Sequence, residues 1–181
     1  LIVVGGHARV ANSPVSASLA SEARRRGLNA WVVTLDRWIQ PEALRKPGLE
    51  GRFDLDGARA VLAPWLSGGG VDAIAPNYDR RRRAVGESAR LAIAAEDVLI
   101  LEGVPALLRS WSERRRVHTV FVEAAEEARA QRVIDDIVAR GLGDPVQARR
   151  VYEERQRDEG AIVLAGRSGA DYVMTLEGGA L

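Results

Sequence analysis

The sequence predicts an α/β domain in which a parallel sheet is covered on both faces by helices. Three observations point there. Short apolar runs alternate along the chain with longer segments of helical period, the pattern of βα units. The clearest run, DVLILEG (97–103), is apolar without alternation, as a strand buried on both faces is. The chain has 181 residues, 46% of them hydrophobic and 28% charged, which suits a single domain over 1–181 with a full core.

The elements follow in order. LIVV (1–4) reads as a buried strand stopped by Gly5 and Gly6. Pro14 suits the first turn of a helix. Val15, Leu19 and Ala23 follow at four-residue spacing, and Gly27 closes the helix after Arg24, Arg25 and Arg26. AWVVTLD (30–36) is a second strand. DLDGARAVLAPWL (54–66) is a helix with Asp54 or Asp56 as its cap. VDAIAPNYD (71–79) is extended or looped, and ARLAIAAE (89–96) carries no clear period. DVLILEG and VHTVFVE (117–123) are strands. AEEARAQRVIDDIVARG (125–141) is an amphipathic helix with a glycine stop, 144–166 is a second long helix, and DYVMTL (171–176) a last strand. The segment from Trp38 to Asp79, rich in Gly and Pro, is expected to hold loops and small helices over one end of the sheet.

Bulk properties narrow the function. A net charge of +1 gives no global attraction to nucleic acid or membrane. The absence of cysteine rules out disulfides and thiolate metal sites and fits a reducing, cytoplasmic setting. No apolar run approaches the ~20 residues of a membrane helix. A chain that opens on a strand without methionine is expected of a domain cut from a longer one, and a homo-oligomer is compatible with it.

The stretch VVGGHARVANS (3–13) has the layout of a phosphate loop: strand, glycine turn, helix. Backbone N–H groups at such a junction attract anions without help from side chains. The full pattern is G-x-x-x-x-G-K-[ST]. Here Gly6 and four residues (His7, Ala8, Arg9, Val10) are followed by Ala11, Asn12 and Ser13. Ser13 keeps the hydroxyl that reaches Mg²⁺. Asn12 can hydrogen-bond a phosphate but lacks charge, a loss of roughly 1.5–3 kcal/mol. Ala11 would be strained by about 1–2 kcal/mol wherever a positive φ is needed. An ordinary strand-to-helix turn is the competing reading of these residues alone.

Later segments give the loop a context. VVTLDRWI (32–39), FDLDGARAVL (53–62), APNYDRRRRAVGE (75–87), EDVLILEGVPAL (96–107), VFVEAAEEARAQRVIDDIVARG (120–141) and GADYVMTL (169–176) resemble, in order and spacing, pieces of the uridine kinases and their phosphoribulokinase-like relatives. The resemblance spans nearly the whole chain. It implies a P-loop NTPase-type three-layer sandwich with a five-stranded parallel sheet. It also implies transfer of the γ-phosphate of ATP, with Mg²⁺, to a hydroxyl of a nucleoside or sugar-phosphate-like acceptor. By position it implies Asp36 as the carboxylate that takes the hydroxyl proton, and Glu102 with Ser13 as the Mg²⁺ partners. Gly6 through Ser13 become the nucleotide cradle, aided by Arg132 and Arg140, and Trp38, Tyr78, Asp79 and Arg83 the acceptor side.

Several residues depart from the pattern. Besides Ala11 and Asn12, Ile39 stands where these kinases have tyrosine, and Leu142 where a lid arginine is expected. RKPGLEGRFD (45–54) has no match for the aspartate that contacts ribose. Arg9, Arg132 or Arg140 would then have to replace the lysine. The alternative is a catalytically silent domain of nucleotide-binding fold with a regulatory or assembly role. Natural decay and deliberate silencing would both give Ala11–Asn12. The bland roles are a strand-end cap for Asp36, a turn start for Glu102, a loop anchor for Tyr78, a loop position for His7, and a structural place for His118. The tryptophans other than Trp38 are expected in packing. Of the arginine clusters, Arg24–Arg26 and Arg114–Arg116 suit solvated surfaces, and Arg80–Arg83 could meet an anionic substrate.

Overall fold

The computed structural model describes residues 1–79, 82 and 84–176. Five strands form one all-parallel sheet: β1 (Ile2–Gly6), β2 (Ala30–Thr34), β7 (Val98–Glu102), β8 (His118–Ala124) and β9 (Tyr172–Leu176), in the order β2-β7-β1-β8-β9. The register sets Thr34 opposite Glu102 and Val4 opposite both Glu102 and Val120. Alternation sorts the side chains to two faces. Val3, Val33, Leu99 and Leu101 join the core beneath α2 (Leu55–Leu66). Val4, Ile100, Val120 and Val122 meet Val15 and Ala20 of α1 (Asn12–Arg25). Helices on both faces of a parallel sheet make the expected three-layer α/β sandwich.

β1 runs two residues beyond its predicted end, because its glycines serve packing rather than stopping the strand. A Cβ on Gly5 would stand 2.7 Å from Leu107 Cγ, and one on Gly6 2.2 Å from the Val122 carbonyl. α1 begins at Asn12, ahead of Pro14, since Ala11 reverses the chain in the left-handed region (φ 74°, ψ 35°). β2 stops at Thr34, whose hydroxyl accepts from the Asp36 N–H at 3.2 Å. A 3₁₀ turn (Leu35–Trp38) follows, so Asp36 sits just past the strand tip.

The two segments without a clear pattern pair with each other. β3 (Val71–Ala75) and β6 (Ala89–Ile93) form an antiparallel ribbon, and β4 (Tyr78–Asp79) pairs with β5 (Ala84–Val85). Val71, Ala75, Leu91 and Ile93 face the core, a period-two signal too short to stand out. On the other side, α3 (Glu126–Ala139) and α4 (Pro145–Ser168) form an antiparallel arm. Its own small core contains Val133, Ile134, Ile137, Ala148 and Tyr152. Among the described residues no helix is long and apolar enough to cross a membrane.

Candidate functional site

The loop between β1 and α1 lies at the carboxyl edge of the sheet, where ligands bind in open parallel α/β folds. Two of its residues, Arg9 (φ 63°) and Ala11 (φ 74°), adopt the left-handed conformation. Ala11 therefore pays the strain that glycine at this position would avoid. No side chain caps the first turn of α1, so its amides remain available to an anion. Val10 is fully buried with Val4 and Val15, and only its backbone can serve a ligand.

Asn12 does not point as a lysine would. It is 8% exposed, and its Nδ2 donates to the Gly6 carbonyl across the loop at 3.5 Å. Its Oδ1 is buried without a hydrogen-bond partner and lies near where a Gly6 Cβ would stand. An unpaired acceptor opposes an incoming phosphate. Turning the amide over would give up one long hydrogen bond and offer an N–H instead.

The carboxylates occupy adjacent strand tips. Glu102, 5% exposed, ends β7, and its Oε1 accepts from the Ser13 hydroxyl at 3.2 Å. Gly103 follows at φ 149° and lets the chain pass Leu35, whose Cβ a Gly103 side chain would meet at 3.2 Å. No group of three or more His, Cys, Asp or Glu side chains forms a metal cage among the described residues. A hydroxyl beside one carboxylate is nonetheless an oxygen donor set of the kind Mg²⁺ uses when phosphates and water complete its shell.

Asp36 lines a cavity of about 340 Å³ that also takes in His7, Ala8 and Arg9 from the loop and Tyr78 from β4. The arm closes its far side. Arg9 is ion-paired with Asp136 of α3, which also holds Arg140 at 2.8 Å. Arg132 Nη1 donates to the Arg9 carbonyl at 3.2 Å. Burial, aided by nearby Arg129, lowers the His7 pKa to about 4, with Glu126 opposing. His7 is therefore neutral at physiological pH, its ring edge-on to Phe121 at 6.4 Å.

Some expected residues lie elsewhere. Trp38 is not a cavity wall: at 3% exposure it packs in the core with Leu35 and Leu55. The 3₁₀ turn after Thr34 rotates it inward while leaving Asp36 and Ile39 on the cavity side. Asp79 is not among the cavity-lining residues; its Oδ1 accepts from the Arg82 N–H in its own turn. Arg83 lies outside the described residues, as do Arg80 and Arg81. Leu142 lines the cavity at the position where the resemblance expects a cation.

Other lining residues escaped the sequence reading. Arg45, Arg52 and Phe53 come from the Gly- and Pro-rich segment, and Arg129 from α3. Tyr152, Gln156, Glu159 and Val163 come from α4. Their spacing of three and four residues marks one helical face, a signal present in the sequence but readable equally as core. Arg129 is buried, donates to Gln156 at 2.9 Å and lies over the Tyr152 ring at 5.2 Å.

No family model and no curated protein matches the sequence. Solved structures do. A "putative fructose transport system kinase" from Silicibacter sp. TM1040 superposes with a TM-score of 0.70 at 21% identity, over 95% of this chain and 87% of that one. A "possible uridine kinase" from Bacillus stearothermophilus gives 0.61 at 16%, over 96% and 86%. YFH7 from Saccharomyces cerevisiae, "a putative P-loop containing kinase with a circular permutation", gives 0.69 at 10%, over 98% and 92%. The chain has the fold of the uridine kinase-like P-loop kinases. At these identities the likeness establishes the fold and leaves the chemistry to the site.

Proposed function

We propose that this chain is a small-molecule kinase that moves the γ-phosphate of ATP to an acceptor hydroxyl. The observation that carries the reading is the Ser13–Glu102 hydrogen bond at the base of the loop, with Asp36 one strand away on the cavity wall. Asp36 takes the proton from the acceptor hydroxyl. The oxygen so freed forms the new bond to the γ-phosphorus, the bond to the β,γ-bridging oxygen breaks, and ADP leaves with that electron pair. Ser13 and Glu102 would hold Mg²⁺, which supplies charge neutralisation on the phosphates. Arg140 and Arg9 supply further positive charge once the phosphates compete for them with Asp136.

A second reading rests on its own observation. Ala11 is strained, Asn12 is folded into the loop and Arg9 is engaged by Asp136, which together suit a silent domain with a regulatory or assembly role. ADP release, measured over a panel of nucleosides, sugars, sugar phosphates and hydroxy acids, separates the two. The kinase reading expects turnover that rises in Ala11→Gly/Asn12→Lys and falls at least a hundredfold in Asp36→Asn. No turnover in any variant, with nucleotide still bound, selects the silent domain.

A further inference from the structure

The loop lacks the lysine that would meet a terminal phosphate, and one cation beside it differs from all the others. We propose that Arg129 of α3 does the work of that lysine and binds the γ-phosphate oxygens; this deepens the kinase reading and rests on it. Arg129 is 5% exposed and is the only cation among the buried described residues. Its partners are neutral: Nη2 donates to Gln156 Oε1 at 2.9 Å, and the Tyr152 ring lies 5.2 Å away. Glu126, one helical turn earlier, accepts instead from the Tyr152 hydroxyl at 3.5 Å. No carboxylate pairs with Arg129 among the described residues, whereas Asp136 matches Arg9 and Arg140, and Glu159 matches Arg52.

A buried charge without a counter-ion is unfavourable to keep. An entering phosphate supplies the missing partner, and a guanidinium can meet two of its oxygens at once. Arg129 also stands against the phosphate loop. Arg132, one turn further along the same face of α3, donates to the Arg9 carbonyl at 3.2 Å. The Arg129 charge reaches His7, the first residue after Gly6, where it adds to burial in lowering the imidazole pKa. Both residues line the cavity. Arg9 and Arg140 must leave Asp136 before they can serve a phosphate, but Arg129 has no acid to leave. Gln156 and Tyr152 hold its side chain in place without cancelling its charge. Such a preset cation suits phosphoryl transfer, in which charge spreads over the oxygens of the moving group.

The test is calorimetric titration of the whole chain, in Mg²⁺, with a non-hydrolysable ATP analogue, ADP and inorganic tripolyphosphate. Arg129→Gln should weaken the analogue and tripolyphosphate at least tenfold while changing ADP affinity less than twofold. Arg129→Lys should recover part of the loss. A merely structural arginine would weaken ADP along with the analogue. If Arg129→Gln does not fold, the Arg129 Nε–H signal of the unmodified chain, assigned by its loss in Arg129→Lys, serves instead. It should shift when the analogue is added and hold its place when ADP is added. Equal losses for ADP and the analogue, or analogue binding indifferent to Arg129, overturn the inference and leave the kinase reading standing. If neither nucleotide binds but tripolyphosphate still binds through Arg129, the kinase reading fails and the anion site stands. No binding of any of these probes overturns both.

Discussion

Ala11 and Asn12 decide how the loop behaves, and each is testable alone. Ala11 holds φ 74°, a conformation that costs a non-glycine residue about 1–2 kcal/mol. Ala11→Gly removes that strain but adds chain entropy to the unfolded state, so a net gain of about 0.5–1 kcal/mol is expected. A urea midpoint that rises at unchanged slope would show it. His7 gives a pH signature. Its unfolded pKa is near 6.5 and its folded value about 4. Between those values the unfolded chain binds a proton that the folded chain does not, so stability falls as pH drops through that window. The chain has two histidines, and NMR should show the His7 ring titrating near pH 4. His7→Gln should flatten the stability profile between pH 6.5 and 4.

At the scale of elements, the arm depends on how its helices begin. The Asp144 carboxylate accepts from the Val146 and Gln147 N–H groups at 2.8 Å, and the Gln147 side chain returns to the Asp144 N–H at 3.1 Å. This capping box starts α4 directly after the Gly141–Gly143 turn. Asp144→Ala is expected to cost about 1 kcal/mol, read as faster hydrogen exchange in α3 and α4 with the central sheet unchanged. The strands were the most legible elements. DVLILEG forms β7 because its residues alone mark a doubly buried strand, and Glu102 and Asp36 follow from where β7 and β2 end. The ribbon of β3 and β6 was not legible, because five-residue strands with a mixed pattern take their identity from each other.

At the scale of the molecule, the sequence located the β1–α1 loop and the strand-tip acids but not the wall facing them. Arg45 lies far along the chain from Tyr152 and Glu159 of α4, and they line one cavity only because the arm folds over the sheet, so no local pattern joins the two sides. Trp38 failed as a wall for a related reason: a 3₁₀ turn, invisible to strand periodicity, turned it into the core. The central claim is that the β1–α1 loop is a phosphate cradle completed by Ser13 and Glu102. Calorimetric titration with a non-hydrolysable ATP analogue, with and without Mg²⁺, tests it most directly in the present chain and in Ala11→Gly/Asn12→Lys. The account predicts binding that weakens at least tenfold without Mg²⁺ and tightens in the double variant, by roughly the tenfold to hundredfold that a restored charged contact provides. Binding indifferent to Mg²⁺, or none at millimolar analogue even in the double variant, would contradict it.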